Sequence, residues 1–321
     1  MRILLLTILM LSGLAFGQSG IQTINKEKEQ KKPAAPVCRS ARFRMISDCA
    51  DLVYYDEDAD AVFTQKGQPF SGACKTCHFN GNLEMFLTFV NGKPIGTDTI
   101  YYQNGQINLI RSHDTEGYGK ENGKWMLYRE DGSLKWEKNF VMGAATGEFR
   151  FYFKDSTIQK IEGWKNNQMH GKKQEFYPNG NIKKEVNYKN GVWDGAFRTY
   201  FRDGKIESEQ IYANGKKEGP STYYFKDGTI FYTENHENGE LEGTCKRFYN
   251  NGRRWTVENY KKGMRHGHFE EFYDSEKNTI KYEAEYKKDK LIEEHYYDEF
   301  GDETTAPGGS VADEDEEEEE E

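Results

Sequence analysis

The chain has 321 residues, of which 36% are hydrophobic and 14% aromatic (21 Tyr, 20 Phe, 5 Trp), with 32 Gly against only 7 Pro and a net charge of −10. So polar a chain, with a mean hydropathy of −0.94, is poor material for a large globular core, and so aromatic a chain is unlike a disordered one. Residues 313–321 hold nine of the 54 acids; the other 45 balance 44 bases, which excludes a basic nucleic-acid footprint, and no internal apolar run nears the roughly 20 residues of a membrane span.

At the N-terminus, Arg2 precedes the apolar run Ile3 to Leu11, which gives way to small residues around Ser12 to Gly17. This is a charged segment, a short hydrophobic segment and a cleavage site, so residues 1–18 read as a signal peptide. No Cys follows until Cys38, so a lipid anchor is not supported. The protein is expected to be exported, to the periplasm, the cell envelope or the medium. Residues 19–37 are charged and Pro-containing and read as a linker.

Residues 38–67 read as an N-terminal cap. Cys38 and Cys49 lie there, close to Cys74 and Cys77. Disulfides persist in exported proteins, and two bridges among these four would staple the cap over the first hairpin. Four cysteines allow three pairings and the spacing does not choose. Asp56, Asp58 and Asp60 mimic the start of a calcium loop, but Ala61 stands where Gly is needed and Gly67 where the Glu should be. Cys74-Lys75-Thr76-Cys77-His78 has the form of a covalent haem site, with two thioether links and His78 as axial ligand. The repeat register lays that motif along a strand, where residues three apart point to opposite faces. This argues against haem and against a direct Cys74–Cys77 bridge. No cofactor and no metal are expected.

Repeats dominate residues 68–301. Gly132, Ser156, Gly180, Gly204, Gly228 and Gly252 are spaced 24 residues apart, and Gly81 and Gly105 share that spacing. The 27-residue step from Gly105 to Gly132 holds a three-residue insertion around residues 116–121. Eleven residues after each comes Gly143, Asn167, Gly191, Gly215, Gly239 or Gly263, and four later Gly147, Gly171, Gly195, Gly219, Gly243 or Gly267. Each unit reads as a β-hairpin whose Asn-Gly or Asp-Gly supplies the positive φ of a tight turn. An aromatic run precedes the turn. Leu134, Ile158, Ile182, Ile206 and Ile230 follow it by two places, and Phe140, Trp164, Tyr188, Tyr212 and Tyr260 by eight. Six being even, both columns are expected on one side of the strand. The fold expected is all-β: an elongated, single-layer antiparallel meander of about nine 24-residue hairpins. Residues 302–321 end in the acidic run and read as a disordered tail.

The pattern, clearest from Gly180 through Ile182 and Tyr188 to Gly195, resembles the MORN repeat in its bacterial variant form, which includes YwqK-type antitoxins. The resemblance implies a β-hairpin array used for contact with protein or lipid rather than catalysis, and its antitoxin branch implies a toxin partner. The residues agree: there is no H-E-x-x-H, G-x-S-x-G or P-loop, and the glycines from Gly117 to Gly123 lack dinucleotide spacing. The expectation is a non-enzymatic scaffold that binds protein, or else an antitoxin or a lipid-surface binder, with no nucleic acid and no small-molecule substrate. Phe140, Trp164, Tyr188, Tyr212 and Tyr260 are the candidate binding face, although aromatics on a lone sheet also stabilise it by cross-strand pairing. Cys245 is expected to be a free, half-buried thiol, and His236, His266 and His268 to be surface or packing residues. The carboxylates are expected mostly on solvent-facing positions.

Overall fold

The computed structural model describes residues 36–38, 46–55 and 62–306. The segment read as a signal peptide, nearly all of the segment read as a linker, Asp56, Asp58, Asp60 and residues 307–321 lie outside them. Among the described residues the only helical element is a 3-10 turn at Cys49–Asp51, and no helix is long and apolar enough to cross a membrane.

Nine hairpins follow one another from Gly72 to Lys287, joined edge to edge in sequence order into one open antiparallel sheet. Typical units are Gly147–Tyr152 with Ile158–Lys165, Gln168–Phe176 with Ile182–Lys189, and Val192–Tyr200 with Ile206–Ala213. A last strand, Lys290–Tyr297, closes the array with the short Glu303–Thr304 against it. The sheet is elongated and a single layer thick, as the 24-residue period requires.

The two kinds of turn divide their chemistry otherwise than the sequence suggests. At the first turn the glycine of the first column takes positive φ, as Gly180 does at 89°, and the Asn or Asp before it does not. Gly180 donates its N–H to the Tyr177 carbonyl at 2.9 Å, while the Asn179 side chain accepts from the Asn181 N–H. The Asn or Asp is therefore there as an acceptor, not for its backbone. Asp131, Asp155 and Asp227 accept in addition from the hydroxyls of Ser133, Thr157 and Thr229, each at 2.6 Å, and those hydroxyl bonds hold their carboxyls below the usual range. The tight two-residue turn is at the other end, where Asn190 (φ 51°) and Gly191 (φ 86°) are both left-handed. There Gly191 donates back to Met169 at 2.9 Å, Gly215 to Trp193 at 2.8 Å and Gly263 to Leu241 at 2.9 Å. The second glycine column is thus a clip onto the preceding unit.

Ser156 occupies the first-turn slot at φ 68° where its counterparts are glycine. A left-handed non-glycine residue costs roughly 1–2 kcal/mol, partly offset by the greater entropy glycine loses on folding. Ser156→Gly should therefore stabilise the chain by about 0.5–1 kcal/mol, read as a higher urea midpoint at unchanged slope; an unchanged or lower midpoint would refute this.

A bulge corrects one further expectation. Phe151 pairs with Lys160 but Tyr152 with Ile158, leaving Gln159 unmatched, and the same shift recurs in the neighbouring hairpins. The extra residue reverses parity. Ile158 thus falls on the face of Tyr152, and Trp164 on the face of Phe151.

Tyr102, Tyr177, Tyr249 and Tyr273 reach across the repeats, each donating its hydroxyl to a carbonyl one unit ahead at 2.8–2.9 Å. Arg129 takes the same role with its guanidinium, at 2.6 Å from the Tyr152 carbonyl.

At the N-terminal end the cysteines pair as Cys38–Cys77 and Cys49–Cys74. Each bridge roots a separate apolar cluster. Cys74 packs with Phe70, Leu87 and Phe89, and Cys49 and Leu52 lie against them. Cys38 packs with Leu83, Phe86 and Tyr101. Phe86 and Leu87 are neighbours on one strand, so the two bridges staple opposite faces of the first hairpin. Ser47–Asp48 pairs in parallel beside Cys74 and Lys75, covering that edge.

Candidate functional site

The ladder brings the five candidate aromatics to one face. Trp164 pairs with Gly147, Tyr188 with Gly171, Tyr212 with Gly195 and Tyr260 with Gly243, while Phe140 pairs with Gly123. A side-chain-free partner leaves room for each ring, and all five are half-buried. Between them lie rings that the column reading missed, because they sit on the partner strands. Trp125, Phe140, Phe149 and Trp164 make one run, with centroids 5.0, 5.8 and 5.1 Å apart. Trp193 joins Phe197 at 5.3 Å and Tyr212 at 4.9 Å, and Phe269 joins Tyr260 and Tyr286. His236 holds the same slot opposite Gly219, where burial lowers its pKa.

The face is not bare. Lys160 lies 4.0 Å over Phe151, Lys184 4.9 Å over Phe197 and 5.4 Å over Trp193, Lys138 4.7 Å over Trp136, and Arg265 4.3 Å over Tyr286. Acids are drawn in to meet these cations. Glu162 is 7% exposed and 2.7 Å from Lys160. Glu234 takes Lys217 and the Tyr223 hydroxyl, both at 2.8 Å; burial raises its pKa, but those two donors win and hold it below the usual range. On the opposite face Glu137 and Glu185 are also buried, with Lys124 at 3.0 Å and Lys172 at 3.3 Å. The expectation of solvent-facing carboxylates therefore fails at these positions, because neighbouring strands present a cation beside each.

The two segments 169–190 and 193–214 match the family model described as the MORN repeat variant. Two hairpins of the chain, at those residues, are thus MORN-variant repeats. Each matched segment is one hairpin of the sheet and ends on the asparagine of a tight turn, Asn190 or Asn214. Among solved structures, the crystal structure of TcdB2-TccC3 shares 12% identity over 76% of this chain and 17% of its own, with a TM-score of 0.18. That of TcdB2-TccC3-Cdc42 shares 11% over 76% and 16%, with a TM-score of 0.19. The chain thus spans less than a fifth of the length of either. No curated protein matches it.

Between the first turns of neighbouring hairpins run three shallow grooves of about 410, 570 and 450 Å3. They are floored by Phe151 and Tyr177, by Tyr223 and Phe231, and by Tyr282 and Tyr296. The three-residue insertion forms a loop around Asp114, which is 3% exposed and accepts from the N–H groups of Glu116, Tyr118 and Lys120 at 3.1, 2.9 and 2.7 Å. Nearby, Asp98 is fully buried, with His113 at 2.9 Å and Arg111 at 3.3 Å.

Cys74 and Cys77 are spent on disulfides, and His78 Nε2 lies 3.0 Å from the Tyr101 carbonyl, so the motif offers no thiol for a thioether link. Among the described residues no group of three His, Cys, Asp or Glu is arranged to hold a metal. Cys245 is free but only 1% exposed, not half-buried, and burial pushes its thiol pKa up, so it is not a reactive nucleophile.

Proposed function

We propose that the chain is an exported, non-enzymatic scaffold that binds a protein partner along the aromatic face. The observation that carries this reading is the series of ring clusters on one face between Trp125 and Tyr286. In it half-buried rings such as Trp164, Trp193 and Tyr212 pack on buried ones such as Phe149, Phe197 and Tyr286, with lysines over several of them. Such a face offers apolar contact and positive charge together, which suits a partner surface of apolar side chains bordered by carboxylates. Export is supported by the two disulfides, which persist in oxidising compartments.

The test is capture from the chain's own envelope extract with wild type, with Lys138→Glu/Lys184→Glu on the aromatic face, and with Lys246→Glu on the other. One stoichiometric protein, held at least about 10-fold more weakly by the double variant and equally by Lys246→Glu, would support the reading. Equal capture by all three would refute the face. Lipid retained without protein would move the function to a membrane surface, and a secreted toxin as partner would make it an immunity protein.

A further inference from the structure

The last two tight turns of the array are strongly basic. Lys261 and Lys262 form one, Lys287, Lys288 and Lys290 the other, and all five are exposed. Two of the acids near them, Asp289 and Glu242, are already engaged. Asp289 accepts from the Arg265 N–H at 2.9 Å, lies 3.6 Å from Arg265 Nε and donates its own N–H to the Arg265 carbonyl, which locks the two turns side by side. Glu242 reaches the first turn through the Lys262 backbone N–H at 2.8 Å. Among the described residues none of the five lysine side chains has an ion-pair partner.

The chain leaves the sheet aimed at this patch. Thr304 pairs with Tyr296, antiparallel to strand Lys290–Tyr297, so Glu303–Thr304 runs along that strand's outer edge in the direction of Lys290. Six further residues, roughly 20 Å extended, would bring it level with Lys290. Residues 305–312 supply eight, and the next nine, Asp313 to Glu321, are all acidic. Extended, nine residues cover roughly 30 Å, while two turns one hairpin apart are separated by about 10 Å.

We propose that the acidic run 313–321 folds back within the same molecule onto Lys261, Lys262, Lys287, Lys288 and Lys290, drawing residues 305–312 along the open edge of the last strand. The contact matches nine negative charges to five unpaired positive ones. It also covers an edge where Leu291 is 40% and Ile292 55% exposed, a row of free backbone groups that would otherwise template another chain. The proposal does not depend on what the aromatic face binds.

Lysine acetylation followed residue by residue tests it, on the full chain and on one ending at Ala312. At low ionic strength the five lysines should react at least about 3-fold more slowly in the full chain, Lys165 and Lys189 should not differ, and about 0.5 M salt should erase the contrast, since the Debye length there falls below about 5 Å. Equal rates with and without the tail at low salt would overturn the proposal. So would protection spread equally to Lys165 and Lys189, or protection that grows with protein concentration, which would place the contact between molecules.

Discussion

Reducing the two disulfides should unfold the first part of the array and leave the rest standing. The bridges Cys38–Cys77 and Cys49–Cys74 close loops with sequence separations of 39 and 25, each contributing roughly 3–4 kcal/mol in the loop-entropy account. What they hold has little else to hold it. Cys38 joins the sheet by a single bridge, between Val37 and Asn82, and Ser47–Asp48 pairs over only two residues. The clusters around Leu83 and Phe89 lose their anchors with the sulfur bonds. Amides of Gly72–Cys77, Leu83–Val90 and Thr97–Tyr101 should then exchange at least about 100-fold faster in reductant, while those of Gly243–Phe248 and Arg254–Lys261 keep their protection, because each hairpin in a repeat array touches only its neighbours. Equal protection with and without reductant would refute the stapling role, and uniform loss throughout would refute the near-neighbour energetics.

Asp114→Ala should release the insertion loop. A buried carboxylate bonded to three backbone N–H groups organises residues 114–120, and its loss leaves those donors to water at a cost of about 3 kcal/mol. Exchange at Glu116, Tyr118 and Lys120 should accelerate on the order of 100-fold, with Asp114→Asn intermediate because its amide oxygen still accepts. Acid should reproduce the effect. Burial alone would raise the Asp114 pKa, but the N–H donors of Tyr118, Lys120 and Glu116 outweigh it and hold the carboxyl below its usual range. A depressed carboxyl contributes stability that is complete above its unfolded value near 4 and lost as pH falls through the lower folded one. The wild-type loop should stay closed at pH 5 and open only below that range. Opening already at pH 5, or an Ala variant with wild-type exchange, would show that the loop is held by something else.

The repeat was legible in the sequence because its columns are backbone requirements. Gly191 and its counterparts sit where φ is positive and an N–H must reach the previous unit, and few other residues can do both. The bulge was not legible, since no residue type marks it: Gln159, Lys183, Glu207, Phe231 and Trp255 fill the unmatched place. Faces inferred by counting therefore went wrong across it and right beyond it, where Trp164 and Tyr188 share a side. The second half of the aromatic band, Phe149, Trp193 and Phe269, became visible only once strands were paired. The insertion could be located from the spacing, but not that Asp114 organises it, because one aspartate among many carries no signal until its donors converge.

The backward clip gives the array a direction of assembly. Each tight turn completes the unit made before it, as Gly215 does for Trp193 and Gly239 for Lys217, across only about twenty residues of chain. Nothing in a unit waits for residues synthesised much later. A nascent chain emerging N-terminus first can lay down the bridged hairpin, then zip each new hairpin onto a template already finished, so that at any moment only the newest edge is open.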